Sequence, residues 1–376
     1  MSTFDYLPRT RVVFGEGALD RLGEAVSGLG LRRVLLVADR GLADTDHVAR
    51  ARTLVTGAGA ALETFHDFDN NPDTAVVARG AEVARAFGPD GLLAVGGGSS
   101  LDCAKGINFL VTNGGEMGDY RGYGKAATPL LPMVAVPTTA GTGSEAQSYA
   151  VIADAVTHMK MACGDPSAAF RLVLLDPELT LTSPAPTTAA AGIDAIGHAV
   201  EAWVTTKRNP LSDMLAREAF RLLSVNYLRV LAHPHDRAAR AGMLLGAHWA
   251  GAAIEQSMLG AAHACANPLT AHYGTVHGVA IGLLLPSVVR WNMPRMADRY
   301  AELAESAGLP RRPESLAGHL EQLVAGGGFP DGLGPAGIGE ADLPALAIEA
   351  AQQWTGRFNP RPFDEAGALE IYTLAY

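Results

Sequence analysis

The sequence lacks several features that define whole classes of protein. Among its 376 residues there are only three cysteines, Cys103, Cys163 and Cys265, and they lie far apart with no CxxC spacing. This excludes a disulfide-rich scaffold and a zinc site built from paired cysteines. Free thiols are typical of a reducing compartment, and we therefore expect the protein to be cytoplasmic.

Long hydrophobic runs and basic clusters are also absent. The longest apolar runs, such as residues 279–289, are far shorter than the roughly 20 residues that a membrane-spanning helix needs, and this one contains Pro286. The N-terminal stretch carries Asp5, Arg9 and Arg11 and does not resemble a secretory signal peptide. Because the formal net charge is −10 and no run of Lys or Arg stands out, we expect no nucleic-acid partner.

What is present is the composition of a well-packed enzyme, with 48% hydrophobic and only 18% charged residues. The first half alternates apolar runs with helical patterns, which predicts a parallel sheet covered by helices on both faces. The strands are predicted within residues 32–39, 91–100, 131–145 and 171–179. The helices between them are predicted at residues 47–59, 73–88 and 101–111.

Beyond Pro184 the pattern changes, and only helical periodicity broken by Pro and Gly remains. The fold class is therefore α/β plus all-α. We predict an α/β domain at residues 1–180 and a helical domain at residues 181–376. Pockets between such domains are common ligand sites.

A glycine-rich turn joins one predicted strand to the next helix. Gly96, Gly97 and Gly98 precede Ser99 and Ser100 at the start of that helix. Glycines let the backbone come close to a phosphate, and the free N–H groups of a helix start favour negative charge. The pattern is not GxGxxG, so a plain strand–helix turn remains an alternative.

A second loop, residues 137–145, follows another predicted strand and is rich in hydroxyl groups, including those of Thr138 and Thr139. Ligands of parallel sheets sit at the carboxyl ends of the strands, although a polar connector would look the same. Two such loops in one sheet favour a bound nucleotide.

Asp39 ends the predicted strand at residues 32–39. A carboxylate in this position can accept hydrogen bonds from an adenosine ribose and would repel a 2′-phosphate. An ordinary capping or turn aspartate is the alternative.

Four side chains of the helical half form a candidate metal site. Asp194 and His198 are four residues apart on a helical pattern, so they share one face, although an Asp–His hydrogen bond between helices would need the same spacing. His263 lies in a second helical pattern, and His277 starts a third. One carboxylate and three imidazoles suit Fe(II), Zn(II), Co(II) or Mn(II), and they leave a net positive site that would make an alcohol lose its proton more easily.

Together these motifs resemble those of the iron-dependent (group III) alcohol dehydrogenases, over nearly the whole chain and in the right order. The resemblance implies an N-terminal dinucleotide-binding domain, a C-terminal helical domain of the dehydroquinate synthase-like fold, a metal in the cleft between them, and a homodimer or higher homo-oligomer. The matching segments are FGEGALDRL, DFDNNPD, GGGSSLDCAKG, PTTAGTGSE, DPELTLTSP, GIDAIGHAVEAW, HACANPLTAHYGTVHG and the closing NPRP.

The resemblance also implies a role for each matching residue. The implied metal ligands are Asp194, His198, His263 and His277, with Fe(II) as the metal. Asp39 occupies a position that implies NAD rather than NADP. The implied cofactor contacts are Asp39, Asn71, Gly96, Gly97, Gly98, Ser99, Ser100, Asp102, Thr138, Thr139 and Lys160.

One position departs from the family pattern. The family usually reads H-x-x-x-H across residues 263 and 267, and its second histidine is assigned to proton relay or substrate contact. This chain has Asn267, which cannot titrate but can still hydrogen-bond. His272 could replace the relay only if the helix ends or bends, because residues five apart point roughly 140° from each other on a regular helix. A pocket-wall or surface position is the alternative for His272.

The predicted activity is a reversible hydride transfer between NAD(H) and a primary or small secondary alcohol or aldehyde, with Asn267 and His272 as candidate catalytic residues. A glycerol-dehydrogenase-like polyol or functionalised-aldehyde reductase is the nearest alternative. A dehydroquinate-synthase-like cyclase and a maleylacetate reductase match the motifs less well. A catalytically degenerate NAD- or metal-binding protein is a further alternative, and Asn267 is its only support, because the other elements of the pattern are all present.

Overall fold

The computed structural model describes residues 4–376, which divide into two compact units. The α/β unit comprises residues 7–139 and 144–183, and the helical unit comprises residues 4–6, 140–143 and 184–376. The short segment 140–143 groups with the helical unit, although the sequence places it within the α/β half. Gly143 accounts for this grouping, because its Cα approaches the backbone of Gly251 too closely for any side chain at either position.

The α/β unit contains a six-stranded sheet in which every pairing is parallel. Its strand order is β1-β9-β6-β4-β2-β3, and the inner strands are buried along almost their whole length, as the apolar runs predict. The strands are β1 (Arg11–Phe14), β2 (Arg33–Val37), β3 (Ala61–Phe65), β4 (Gly91–Gly96), β5 (Gly122–Tyr123), β6 (Met133–Pro137), β7 (Tyr149–Ala153), β8 (Lys160–Gly164) and β9 (Leu172–Leu175).

A second, three-stranded sheet has the order β5-β8-β7, which the sequence did not predict. Strands β7 and β8 are antiparallel, with Tyr149 opposite Gly164 and Ala153 opposite Lys160. This hairpin follows the loop at residues 137–145 and carries Lys160 at the start of β8.

Helices of the α/β unit begin and end at recognisable signals. The helix after β3 is capped by Asp73, whose side chain accepts from the N–H of Val76, and it ends at Gly88 with a left-handed φ of 68°. The helices of this unit are α1 (Leu22–Gly28), α2 (Asp46–Gly57), α3 (Thr74–Phe87) and α4 (Gly98–Asn113).

The helical unit contains no strand in its described residues, as the sequence predicts. Among residues 4–376, no helix combines the length and apolar character that crossing a bilayer requires. The helices of this unit are α5 (Ala185–Val204), α6 (Pro210–Ala232), α7 (Arg237–Glu255), α8 (Ala261–Tyr273), α9 (His277–Ser306), α10 (Pro313–Gly326), α11 (Leu343–Gln352) and α12 (Glu365–Leu374).

The helix α9 joins two patterns that look separate in the sequence. Its 30 residues include Met296, whose φ of −124° and ψ of 18° are not helical, two residues after Pro294. Proline removes a backbone donor and crowds the preceding turn, so a kink at this point is expected.

Candidate active site

One face of α5 presents three acidic or basic side chains to the interior of the helical unit. Asp194, His198 and Glu201 are spaced by four and three residues, so they lie on the same side of the helix. All three are buried, with 4%, 5% and 3% of their surface exposed. Polar groups this deeply buried require partners, and the neighbouring helices α8 and α9 supply them.

A short turn brings α8 and α9 to this face. The helix α8 ends at Gly274, which has a left-handed φ of 63°, and α9 begins three residues later with His277. His263 lies in the first turn of α8, just after its N-cap Gly260. The two helices therefore each contribute one imidazole from their N-terminal end.

The three predicted histidine ligands converge on one carboxylate oxygen of the fourth predicted ligand, Asp194. Asp194 Oδ1 lies 3.6 Å from His198 Nε2, 3.5 Å from His263 Nε2 and 3.8 Å from His277 Nε2. Ligand atoms of Asp194, His263 and His277 all lie within 4.8 Å of one another. The His198 and His263 rings are stacked, with centroids 4.8 Å apart.

These distances fit a metal site better than a hydrogen-bonded cluster. Asp194 Oδ1 and His263 Nε2 are buried without a hydrogen-bond partner, although they face each other. Donors bound about 2.0–2.2 Å from a shared tetrahedral ion lie roughly 3.4 Å apart, which is close to the observed spacing. One carboxylate and three imidazoles form the kind of mixed O/N set that Fe(II) or Zn(II) accepts.

The electrostatics of the cluster keep its carboxylate ionised. Burial raises the pKa of Asp194, but its interactions with His198, His263 and His277 together outweigh burial and hold the pKa well below its usual range. Burial lowers the pKa of His263, but Glu201 and Asp194 outweigh it and raise the pKa to about 9. The cluster therefore offers an anionic oxygen among basic rings.

Glu201 is a buried partner of His263 that the sequence did not reveal. Its Oε2 lies 2.6 Å from His263 Nδ1, and its Oε1 accepts from the backbone N–H of Ala262 at 2.6 Å. A signal is present, because Glu201 lies seven residues after Asp194 on the same face of α5. Glutamate is also common on the solvent-facing side of alanine-rich helices, so this spacing alone does not identify it as a buried partner of a histidine.

In the α/β unit, several predicted cofactor residues follow the two neighbouring strands at which the strand order reverses. From β2 the chain continues to the edge strand β3, whereas from β4 it continues inward to β6. The carboxyl ends of β2 and β4 therefore form a topological switch point, where open parallel sheets bind ligands. Asp39 follows β2, and the turn at residues 96–100 follows β4.

The glycine turn can hold no side chain at its first position. Gly96 has a φ of 143°, and a Cβ there would lie 2.4 Å from the Ser100 hydroxyl. That hydroxyl accepts from the backbone N–H of Asp39 at 3.0 Å and donates to the Asp39 carboxylate at 3.1 Å. Asn71, with a left-handed φ of 53°, donates its N–H to Ser99. Three separate segments are thereby joined around the N-terminus of α4.

The loop at residues 137–145 lies beside this turn. The N–H of Thr138 donates to the Gly96 carbonyl, and Thr139 occupies the space that a side chain on Gly97 would need. Further along, Asp102 accepts from the hydroxyl of Ser144 at 2.6 Å.

The pKa of Asp102 depends on its burial and on nearby lysine and serine side chains. Burial raises the pKa of Asp102, and the nearby charges of Lys105 and Lys160 oppose that effect, as does the hydrogen bond from Ser144. Lys160 and Asp102, both predicted cofactor contacts, are therefore within electrostatic reach of each other.

The two candidate catalytic residues occupy different environments. Asn267 is partly buried and donates to Gln353 at 3.1 Å. His272 has half of its side chain exposed and lies 2.8 Å from the Glu349 carboxylate. The helix α8 does not end between them, since it continues to Tyr273. The structure thus places His272 at the surface beside α11, which favours the surface alternative over a relay role.

Two family models match this chain, one in each half. The family model described as iron-containing alcohol dehydrogenase matches residues 8–177, and that of the C-terminal part of the Fe-containing alcohol dehydrogenase family matches residues 188–376. The chain belongs to the iron-containing alcohol dehydrogenase family. It is therefore an oxidoreductase of the class that interconverts alcohols with aldehydes, and the predicted family and fold class are confirmed.

Members of this family resemble the chain over its full length. A 1,3-propanediol dehydrogenase of Citrobacter freundii is 36% identical over 382 residues, covering 99% of each chain. The crystal structure of a 1,3-propanediol oxidoreductase is 34% identical and superposes with a TM-score of 0.96 over 100% of each chain. A sulfoacetaldehyde reductase from Bifidobacterium kashiwanohense, solved in complex with NAD+, is 28% identical with a TM-score of 0.90, covering 99% of this chain and 98% of that one.

Proposed function

We propose that this protein catalyses the reversible, NAD(H)-dependent interconversion of a small alcohol and its aldehyde or ketone at a divalent metal, with Fe(II) as the native ion. The observation that carries the proposal is the convergence of three imidazole nitrogens, from three helices, within 3.8 Å of one oxygen of Asp194. The family description supports iron over zinc, although the same ligands would accept Zn(II).

Four residues would hold the metal: Asp194, His198, His263 and His277. When bound, such an ion acts as a Lewis acid that lowers the pKa of an alcohol and polarises a carbonyl group. Asp194 supplies the only anionic ligand of this set, so the occupied site keeps a net positive charge. Because Asp194, His198 and His263 are buried, the charges of the site interact more strongly than they would in water.

We propose that the α/β unit binds NAD(H), which accepts and returns the hydride. Residues 96–100 would hold the pyrophosphate, because the N–H groups at the start of α4 favour an anion. Asp39 would accept hydrogen bonds from the adenosine ribose. The NAD+ complex of the similar sulfoacetaldehyde reductase supports this cofactor. The other proposed contacts are Asn71, Asp102, Thr138, Thr139 and Lys160.

The substrate we propose is a primary or small secondary alcohol, including alcohols that carry a second hydroxyl group. Support comes from the similar propanediol dehydrogenase, whose name specifies a short diol. We also propose a cytoplasmic homodimer or higher homo-oligomer, and the three buried, free cysteines agree with a reducing compartment.

The decisive test is Asp194→Ala. We expect the variant to lose bound metal and NAD(H)-dependent turnover together, as measured by elemental analysis and by absorbance at the NADH band with a panel of alcohols and aldehydes. Asp176→Asn is a suitable control, since Asp176 is a buried carboxylate of the α/β unit that accepts from the backbone N–H groups of Leu19 and Glu178. A metal-free Asp194→Ala protein that retained activity would refute the proposal.

A further inference from the structure

We infer that Glu201 is a positioning residue that fixes His263 with its Nε2 atom free for a metal and thereby sets the metal affinity of the site. This inference rests on the metal binding proposed above and extends it to a residue outside the predicted ligand set. It depends on the two hydrogen bonds that the Glu201 carboxylate accepts.

Glu201 uses its two carboxylate oxygens for different partners. Oε2 lies 2.6 Å from His263 Nδ1, and Oε1 lies 2.6 Å from the backbone nitrogen of Ala262. Only 3% of Glu201 is exposed, so water does not compete for either oxygen. Both short bonds are of the charge-assisted kind, which is stronger than a bond between neutral groups.

The first bond decides which nitrogen of His263 can bind an ion. An ionised carboxylate only accepts hydrogen bonds, so Nδ1 must be the atom that carries the proton. When a metal replaces the second proton of the ring, the lone pair of the neutral imidazole is on Nε2, which faces Asp194 Oδ1 at 3.5 Å and has no hydrogen-bond partner. The carboxylate also makes the ring a more basic ligand, since carboxylate–histidine pairs raise the donor strength of the imidazole.

The second bond ties this ring to the start of α8. The N-cap Gly260 has no side chain to cap the helix, and the first N–H groups of a helix favour negative charge. Asn359, from the closing NPRP motif, accepts weakly from Ala261 at 3.3 Å and pairs with Asn292. Asn359 therefore supports the same helix start through the backbone rather than through the imidazole of His263.

This difference between Glu201 and Asn359 separates a capping role from a role in metal binding. If Glu201 acts only by capping α8, then loss of either residue should affect the protein in the same way. If Glu201 acts on the imidazole, then only changes at Glu201 should alter metal binding. Glu201→Gln is the sharpest substitution, because an amide has almost the same shape but must turn its NH₂ group toward one of the two N–H donors.

The experiment uses the full-length protein depleted of metal with a chelator. Wild type, Glu201→Gln, Glu201→Ala and Asn359→Ala are titrated with Co(II), followed by its visible absorption spectrum, and with Zn(II) in competition with an indicator. We expect Co(II) and Zn(II) affinities about 10- to 100-fold lower in both Glu201 variants, together with an altered Co(II) spectrum. We expect Asn359→Ala to melt at a lower temperature but to bind both ions as wild type does.

The control for general destabilisation is Asp176→Asn. Asp176 is a fully buried carboxylate that accepts from the N–H groups of Leu19 and Glu178 in the α/β unit, so its loss should lower the melting temperature without changing metal affinity. If Glu201→Ala does not fold, the metal affinity and Co(II) spectrum of the Glu201→Gln protein alone test the inference.

Two outcomes would overturn the inference while leaving the proposed function intact. One is a folded Glu201→Gln protein with wild-type metal affinity and Co(II) spectrum, and the other is an equal loss of affinity in Asn359→Ala. Failure of the wild-type protein to bind Co(II), Zn(II) or Fe(II) would instead refute the proposed metal site, and the inference would fall with it.

Discussion

Lys105 donates from its ammonium group to both oxygens of Ser144, at 2.7 Å to the carbonyl and 3.0 Å to the hydroxyl. A third bond of 2.7 Å reaches the carbonyl of Tyr149, and the ammonium lies 3.7 Å from Asp102. Lys105 is fully buried. Its charge thus fastens the end of the loop at residues 137–145 to the second turn of α4, and both segments carry proposed cofactor contacts.

We predict that Lys105→Met destabilises the protein and weakens NAD binding. The substitution keeps most of the apolar volume but leaves the oxygens of Ser144 and Tyr149 and the Asp102 carboxylate without their cation. Removing one member of a buried ion pair costs about 3–5 kcal/mol. Urea unfolding would give the free energy of unfolding, and calorimetric titration with NAD+ would give the affinity.

Lys125→Met is the matched control, because Lys125 is exposed in the same unit. It should change neither quantity. Unchanged NAD+ affinity in a folded Lys105→Met protein would show that Lys105 does not organise the cofactor loop.

The sequence could not reveal this role of Lys105. A lysine within the helical pattern LDCAK looks like a solvent-facing residue, and its acceptors lie 39 and 44 positions away along the chain. Asp194 and His198 were accessible to prediction for the opposite reason, since a fixed helical spacing brings them together without any tertiary contact. The prediction that these two residues meet His263 and His277 rested on the family resemblance together with the residue types.

The same distinction applies to the strands. The inner strands β2 and β4 are apolar along nearly their whole length, and the sequence predicts them. The edge strands β1 and β3 were missed, because each is partly exposed and β3 alternates exposed with more buried residues. In so short a strand, this alternation is difficult to distinguish from a loop.

The second prediction concerns the choice between NAD and NADP. Asp39 lies at the carboxyl end of β2, and Ser100 holds its carboxylate in place. Because like charges in proximity disfavour binding, Asp39→Gly and Asp39→Asn should each raise the NADP/NAD ratio of kcat/KM, by about tenfold or more. Steady-state kinetics with both cofactors measure the ratio.

Asp44→Asn controls for the loss of one negative charge, since Asp44 lies a few residues away and is exposed. Its ratio should match that of wild type. An unchanged ratio in both Asp39 variants would mean that this carboxylate does not face the ribose.

The third prediction addresses the proton relay. Because His272 is half exposed and paired with Glu349, we expect His272→Ala to leave the pH dependence of kcat and kcat/KM unchanged. Glu349→Gln, which removes the partner charge, serves as the companion variant and should behave alike. A shifted or flattened pH profile in His272→Ala alone would indicate that His272 relays protons in place of the histidine that the family usually has at position 267.

The last prediction compares two glycines within helices. Gly278 follows His277 in the first turn of α9, and a Cβ there would lie 1.9 Å from the carbonyl oxygen of Ala190 in α5. Backbone atoms cannot rotate away as a side chain can, so Gly278→Ala must push α9 from α5. We expect it to lower the free energy of unfolding by about 1–3 kcal/mol and to weaken metal binding through His277.

Gly318, in the middle of α10, has open space where its Cβ would be. Gly318→Ala should therefore stabilise the protein by roughly 0.5–1 kcal/mol, because alanine loses less backbone entropy in a helix, and it should not alter metal binding. Urea unfolding and Co(II) titration of both variants test this opposite pair of effects. If Gly278→Ala were as stable as wild type and bound Co(II) equally well, close packing of α5 on α9 could not be what holds His277 beside Asp194.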